Sequence, residues 1–201
     1  MMEFLLIGTS NPGKLREYAV LLADLPARLV SLRDVGLDSL DVEEPFESFE
    51  ENAAQKAKVY AKASGLLALA DDTGLVVDAL GGRPGVYSAR YGGPTDRDRY
   101  LKLLGEMEAV PDDQRTARFV CVCAAADPSG EHLESARGTV EGRITRAPGE
   151  GTEGFGYDAV FVPDGYNVVL SNIPMAEKNH ISHRGNAARA LIPALRRMLE
   201  V

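Results

Sequence analysis

Five short segments of this chain hold residues whose types and spacing could do chemistry. The first is Gly8-Thr9-Ser10-Asn11-Pro12-Gly13-Lys14. It follows a strand-like apolar run and opens a helix, so backbone N–H groups at the helix start and a nearby Lys could bind an anion. Its spacing matches the G-x-x-x-x-G-K of phosphate-binding P-loops. Leu15, however, stands where that motif needs Ser or Thr to hold Mg²⁺, and Pro12 removes one N–H. The plainer alternative is a capped helix start with an exposed Lys14.

The second segment is Leu66-Leu67-Ala68-Leu69-Ala70-Asp71-Asp72-Thr73-Gly74. Two carboxylates at the end of a buried strand lie where α/β folds place their ligands. Adjacent strand residues point to opposite faces, so one Asp could face a site while the other holds a turn. A carboxylate here could bind Mg²⁺ or take a proton from water; otherwise the pair marks a turn that favours Asp. The third segment, Glu43-Glu44, could add an oxygen ligand for the same metal, or be a solvated pair. Lys56 and Lys58 follow on a helix, where the alternative is again a solvated face.

The fourth segment is Gly154-Phe155-Gly156-Tyr157-Asp158. Glycines around aromatics let a backbone approach a flat ligand, and an aromatic face can stack on a base. The alternative is a loop with one core Phe. The fifth, Lys178-Asn179-His180-Ile181-Ser182-His183-Arg184, reads as another helix start and gathers two permanent cations, two imidazoles and a hydroxyl. In a chain of net charge −8 such a cluster stands out, although it also suits a polar helix cap.

The elements that must position these residues alternate in type. Glu3–Ile7 reads as a buried strand and Pro12 to about Leu22 as a helix capped by Asn11. Ser48 and Glu51 form a capping box for a helix ending near Ser64, with Gly65 at its C′ position. Leu66–Ala70 reads as a strand broken by Asp71-Asp72-Thr73-Gly74. Leu75–Leu80 is apolar, and Gly81–Gly85 is a loop. Thr95 caps a helix running to Met107. Thr116–Ala126 and Glu131–Gly142 flank the turn Asp127-Pro128-Ser129-Gly130. Gly149–Gly156 is loop-like, and Asp158–Val162 is a strand. His183–Leu199 is the last helix, with Ala187, Leu191, Leu195 and Met198 on one face and Pro193 expected to bend or divide it. The mixture and the mid-chain hairpin predict an α/β class with a mixed sheet.

Composition bounds the function classes. The chain has 201 residues, 22 Lys plus Arg and 30 Asp plus Glu, with 45% hydrophobic residues. That suits a single folded domain of residues 1–201 or two intimate lobes, and not a mainly disordered chain. The acidic balance argues against a protein that coats nucleic acid. No apolar run approaches the roughly 20 residues that span a bilayer. Phe4-Leu5-Leu6-Ile7 stops at Gly8 with no basic segment before it, so no export signal is expected and the cytoplasm is the expected compartment. Cys121 and Cys123 should point the same way from one strand, too close along it for an ordinary disulfide, and read as small core side chains.

Together these segments resemble the inosine triphosphate pyrophosphatases, a family acting on non-standard purine nucleoside triphosphates. The likeness runs from Leu6 to the last helix. Its landmarks are Thr9-x-Asn11-x-x-Lys14, Glu51-Asn52-Ala53-x-x-Lys56-Ala57, Ala70-Asp71-Asp72-Thr73-Gly74-Leu75, Leu80-Gly81-Gly82-x-Pro84-Gly85, Gly154-Phe155-Gly156-Tyr157-Asp158 and Lys178-Asn179-x-x-Ser182-His183-Arg184.

The resemblance implies an elongated mixed β-sheet with flanking helices on two lobes around a central cleft, and commonly a homodimer. It implies hydrolysis of ITP, dITP or XTP between the α and β phosphates, with Mg²⁺ as cofactor. Thr9, Ser10, Asn11, Pro12, Gly13 and Lys14 would hold the triphosphate. Asp72 would be the general base and a magnesium ligand, with Glu44 or Glu43 as the other acidic ligand. Lys56 and Thr73 would touch substrate. Phe155, Gly156, Tyr157 and Asp158 would form the base and sugar pocket. Lys178, His183 and Arg184 would contact the nucleotide. The rival readings are a P-loop NTPase or kinase cleaving the γ phosphate, a pyrophosphatase for modified pyrimidine or methylated nucleotides, and a nucleotide sensor without turnover. An RNA-binding role has least support, since no aromatic-basic platform is visible.

Overall fold

The apolar run at the start of the chain forms the first strand of a six-stranded mixed sheet. The computed structural model describes residues 3–151 and 153–200. In chain order its main elements are β1 (Glu3–Ile7), α1 (Pro12–Leu21), β2 (Ala27–Ser31), α2 (Phe49–Ser64), β3 (Leu67–Val77), α3 (Asp96–Glu106), β4 (Thr116–Ala126), β5 (Leu133–Ile144), β6 (Phe161–Pro163), α4 (Met175–Ile181) and α5 (His183–Leu199). The strand order is β2-β1-β3-β4-β5-β6. β1 runs parallel to both β2 and β3, with Leu5 opposite Leu29 and Leu67. β5 and β6 are antiparallel, with Ile144 opposite Phe161. The α/β class with a mixed sheet is therefore borne out. No helix among the described residues is long and apolar enough to cross a membrane.

The chain divides into two compact units. One takes the residues up to Asp72, Cys121–Gly138 and those from Arg184 on; the other takes Thr73–Val120 and Thr139–His183. The first unit has a core of Leu5, Ile7, Leu22, Leu69, Cys121, Cys123, Leu191 and Leu195. The second is built on Leu75, Val77, Leu103, Phe119, Ile144, Val160, Phe161 and Leu170. Burial of such side chains at about 1.5–3 kcal/mol each is the dominant favourable contribution to folding.

Capping chemistry sets the helix ends as the sequence predicts. The Asn11 side chain accepts from the backbone N–H groups of Gly13 and Lys14, and Pro12 takes the first helical position. Ser48 accepts from Glu51 N–H, and Gly65 closes α2 at φ 70°, in the left-handed region that glycine adopts without strain. Thr95 and Asp98 complete a capping box for α3.

Several expectations need correction. The strand expected to break at Asp71 instead runs through Asp71-Asp72-Thr73-Gly74 to Val77. The turn preference of Asp comes from its side chain competing for backbone groups. Here both carboxylates have side-chain partners of their own, described below, and the backbone keeps its ladder. β2 was not anticipated, because Ala27–Ser31 is short and mostly half-buried and shows no alternation of burial. α4 has only seven residues, and it moves Lys178 from a helix start into a helix. The strand expected from Asp158 begins at Phe161, after a 3₁₀ turn at Asp158–Val160. The strand expected over Glu131–Gly142 lies two residues later. Pro193 does not divide α5. Buried Ala187 and Leu191 on one side of it and Leu195 on the other anchor both halves to the same core.

Candidate active site

β3 carries two acids at adjacent positions, and the pleat sends them to opposite faces. Both are buried. Asp72 meets α2, where Asn52 and Lys56 lie four residues apart and so share one face. Asn52 Nδ2 donates to Asp72 Oδ2 at 3.2 Å, and Lys56 Nζ lies 3.5 Å from Asp72 Oδ1. Lys56 Nζ also donates to Glu44 Oε1 at 2.6 Å. One ammonium thus stands between two carboxylates. Lys56 is 7% exposed, so the solvated-face alternative fails for it. Glu44 is half-buried, while Glu43 is exposed and has no place in this group.

Burial raises the proton affinity of Asp72, and the nearby Glu44 carboxylate adds to that. Lys56 and the Asn52 N–H oppose the shift without cancelling it. Burial works against the charge on Lys56, but the Asp72 and Glu44 carboxylates hold its proton above the usual lysine range. A carboxylate with raised proton affinity suits a general base better than an ordinary Asp does. The donor set also fits a hard divalent cation: two carboxylates already converge on one positive charge, and such ions complete their shells with water and phosphate oxygens. Among the described residues no group of three or more His, Cys, Asp or Glu could hold a metal alone.

Asp71 meets a different set of cations. Its Oδ2 lies 3.0 Å from Lys14 Nζ and 3.3 Å from Arg184 Nη2. Arg184 is 1% exposed, and its Nη1 also pairs with Glu17. The Arg184 guanidinium lies over the Tyr18 ring, 5.9 Å from its centre. The Tyr18 hydroxyl lies 3.1 Å from Cys123 Sγ, and the two thiols are 3.7 Å apart, free and buried. They share a side of β4, as the sequence predicts. Burial pushes the Tyr18 hydroxyl well above its ordinary range, while hydrogen bonding to Cys121 and burial do the same to the Cys123 thiol. Both therefore stay neutral.

The loop before α1 is held tightly. Gly8 N donates to Leu69 O at 2.7 Å, and a Cβ at Gly8 would fall 2.5 Å from the Tyr60 ring. The N–H groups of Asn11, Gly13 and Lys14 are taken by Thr9 Oγ1 and Asn11 Oδ1. Three amides that a P-loop would aim at phosphate therefore already serve the loop itself. The positive charge that this segment offers an anion is the Lys14 ammonium, held by Asp71.

The second unit holds the aromatic set. Asp158 accepts from Lys178 Nζ at 2.6 Å and from Phe155 N at 2.9 Å, and both ions are buried. Lys178 Nζ stands 5.0 Å from the centre of the half-buried Phe155 ring. Gly154, at φ 85°, approaches so closely that a Cβ would fall 2.2 Å from Asp158 Oδ2. Gly156 N donates to Asp96 at 2.7 Å, and Tyr157 is anchored through its hydroxyl to Ser88 O. The buried His183 ring stacks on Phe119 at 4.7 Å. Thr73 is half-buried in this unit.

The expected residues therefore fall into two groups. Thr9–Lys14, Glu44, Lys56, Asp72 and Arg184 belong to the first unit, and Thr73, Phe155–Asp158, Lys178 and His183 to the second. Lys178, His183 and Arg184, expected as one cluster, are divided between them. Asn52, Glu17 and Tyr18 were missed as members of these networks. Asn52 and Lys56 at i and i+4 was the available signal for the first; nothing in the spacing of Glu17 or Tyr18 pointed to Arg184.

A family model described as the Ham1 family matches residues 5–194. The dITP/XTP pyrophosphatase of Geobacter sulfurreducens is 47% identical over 192 residues, covering 94% of this chain and 95% of the relative. That of Escherichia coli K12 is 46% identical over 201 residues, covering 97% and 99%. Among solved structures, a HAM1 protein from Coxiella burnetii superposes with a TM-score of 0.85 at 38% identity, covering 96% of this chain and 98% of that one. A nucleoside-triphosphatase / dITP/XTP pyrophosphatase from Mycobacterium abscessus gives 0.74 at 41% identity over the same shares.

Proposed function

The chain belongs to the Ham1 family, and from that membership and the carboxylate pair around Lys56 we propose that it is a nucleoside triphosphate pyrophosphatase that removes ITP, dITP and XTP. The observation that carries this is the buried Asp72, its proton affinity raised, facing Glu44 across one cationic position.

Asp72 takes a proton from water as the water oxygen attacks the α-phosphorus. The bond from that phosphorus to the bridging oxygen breaks, and pyrophosphate leaves with the electron pair. Lys14 adds fixed positive charge for the triphosphate, and Asp71 aims it. Thr9, Ser10, Asn11, Pro12 and Gly13 shape the loop that presents Lys14. Asp72 and Glu44 would hold Mg²⁺, which would supply charge neutralisation for the phosphates and help to orient the leaving group. Lys56, paired with both, offsets the repulsion between the two carboxylates. Phe155, Gly156, Tyr157 and Asp158 take the base and sugar, with Thr73, Lys178 and His183 as further contacts. Arg184 serves the nucleotide as part of the ion-paired group that carries Lys14. A 6-oxo purine accepts N–H donors that an adenine amine would leave unpaired, at about 1–3 kcal/mol per group. Family likeness supports a homodimer in the cytoplasm, acting on free nucleotides.

The test is a product assay with Mg²⁺ and each of ITP, dITP, XTP, GTP and ATP. Monophosphate plus pyrophosphate, formed far faster from ITP or XTP than from ATP or GTP, is the expected result. Diphosphate plus orthophosphate would overturn it in favour of γ-phosphate chemistry.

A further inference from the structure

Asn52 is fully buried, and its amide makes three hydrogen bonds. Oδ1 accepts from Phe46 N at 3.1 Å; Nδ2 donates to Phe46 O at 3.0 Å and to Asp72 Oδ2 at 3.2 Å. The reciprocal pairing with the Phe46 backbone fixes which end of the amide is nitrogen, since an N–H must meet oxygen and a carbonyl must meet N–H. The second N–H is thereby committed to Asp72. Phe46 lies two residues after Glu44, and Pro45 stands between them with a fixed φ. Holding the Phe46 backbone therefore restricts where Glu44 can go. Lys56, on the same helix face, bonds the other Asp72 oxygen and Glu44 itself.

We propose that Asn52 is a positioning residue for the hydrolysis. With one uncharged side chain it locks Asp72 Oδ2 and the Glu44-Pro45-Phe46 loop together, fixing the carboxylate that takes the proton. An ammonium in its place would compete with a bound cation, and a carboxylate would repel Asp72. An amide does neither. This inference rests on the pyrophosphatase reading for its catalytic meaning, while the clamp itself is a property of the fold.

Two substitutions separate the parts. Asn52→Asp keeps an oxygen for Phe46 N–H but loses the donor to Asp72. Asn52→Ala loses both. For each, folding is checked by circular dichroism, kcat and KM are measured with ITP, and Phe46 amide exchange is followed by NMR. Asn52→Asp should lower kcat about 100-fold, the scale of a misplaced reacting group, with KM changed less than about threefold. Its Phe46 amide should stay protected. Asn52→Ala should show the same kcat loss and a Phe46 amide that exchanges at least about tenfold faster, since the bond it donates to Asn52 Oδ1 is lost. Wild-type kcat in either folded variant, or a loss confined to KM, would overturn the proposal. Should neither variant fold, slow exchange of the wild-type Asn52 side-chain amide and Phe46 N–H supports the clamp, and exchange at the rate of an open loop overturns it. A wild type that releases no pyrophosphate from ITP would instead sink the functional reading and leave the exchange result standing.

Discussion

Lys14 Nζ and Asp71 Oδ2 are 3.0 Å apart, and the Asp71 side chain is 1% exposed. The carboxylate beside the expected general base thus serves a different cation. Adjacent positions on one strand present two acids to opposite faces: Asp71 gathers Lys14 and Arg184, and Asp72 gathers Lys56 and Asn52. This division makes the two acids separable by experiment.

Asp71→Asn should damage folding more than chemistry. It removes one anion from a buried group in which Arg184 also pairs with Glu17. Removing one member of a buried pair costs about 3–5 kcal/mol, and the remaining Glu17 places this case at about 3 kcal/mol. For a chain of this size that lowers Tm by about 6–12 °C. Thermal unfolding by calorimetry reads the shift; a Tm within about 2 °C of wild type would show that the network carries little stability.

Asp72→Asn should do the reverse. Turnover should be lost, since an amide cannot take the proton, yet the fold should persist. Its stability should also depend on pH in a definite direction. Asp72 binds its proton more tightly folded than unfolded, because burial outweighs Lys56 and the Asn52 N–H. The native state therefore holds more protons between the two pKa values, and wild-type stability falls as pH rises through that window. The variant lacks this loss. Its Tm relative to wild type should increase from acid pH, below the ordinary carboxylate range, to neutral pH. A difference that is flat or falls with pH would contradict the assigned burial cost.

Much of this was legible in the chain, for physical reasons that differ by residue. Asn11, Ser48, Thr95 and Gly65 act locally, so their caps were readable from neighbours alone. Thr116–Ala126 is a long apolar run, and the strand found there has the same bounds. The through-running β3 was not legible, because what keeps Asp71 and Asp72 in a strand comes from residues 14, 52, 56 and 184. Lys56 looked like a solvated residue for the same reason: its burial depends on acids 12 and 16 positions away. Likewise the run Lys178–Arg184 looked like one cluster, but Ser182 ends α4 and His183 opens α5, and the ions part company there.

Glu44→Gln tests the cation position without turnover. A ligand that binds only the folded state raises Tm by mass action. Wild-type Tm should therefore rise with added Mg²⁺, and the Gln variant should show a much smaller rise, since a neutral amide oxygen replaces one of two carboxylates. Glu43→Gln, at the exposed neighbour, should keep the wild-type response. Equal Mg²⁺ responses in the Glu44 variant and wild type would remove Glu44 from the metal site.

Phe155→Ala and Lys14→Ala should separate base recognition from phosphate recognition. Phe155 is half-buried, with Lys178 Nζ 5.0 Å from its ring centre, and the proposed function sets a flat base against this ring. Loss of an aromatic stacking surface costs about 1–3 kcal/mol per base, which corresponds to a KM for ITP raised about 5- to 150-fold. Inorganic tripolyphosphate, which has no base, should inhibit the Phe155 variant as well as it inhibits wild type. Lys14→Ala should weaken both ligands together, by about 10-fold or more, since a charge-assisted contact of about 1.5–3 kcal/mol is lost. Competitive inhibition constants for tripolyphosphate beside KM for ITP decide the matter. If the Phe155 variant lost tripolyphosphate affinity in step with ITP, the aromatic segment would be shaping the phosphate site and not receiving the base.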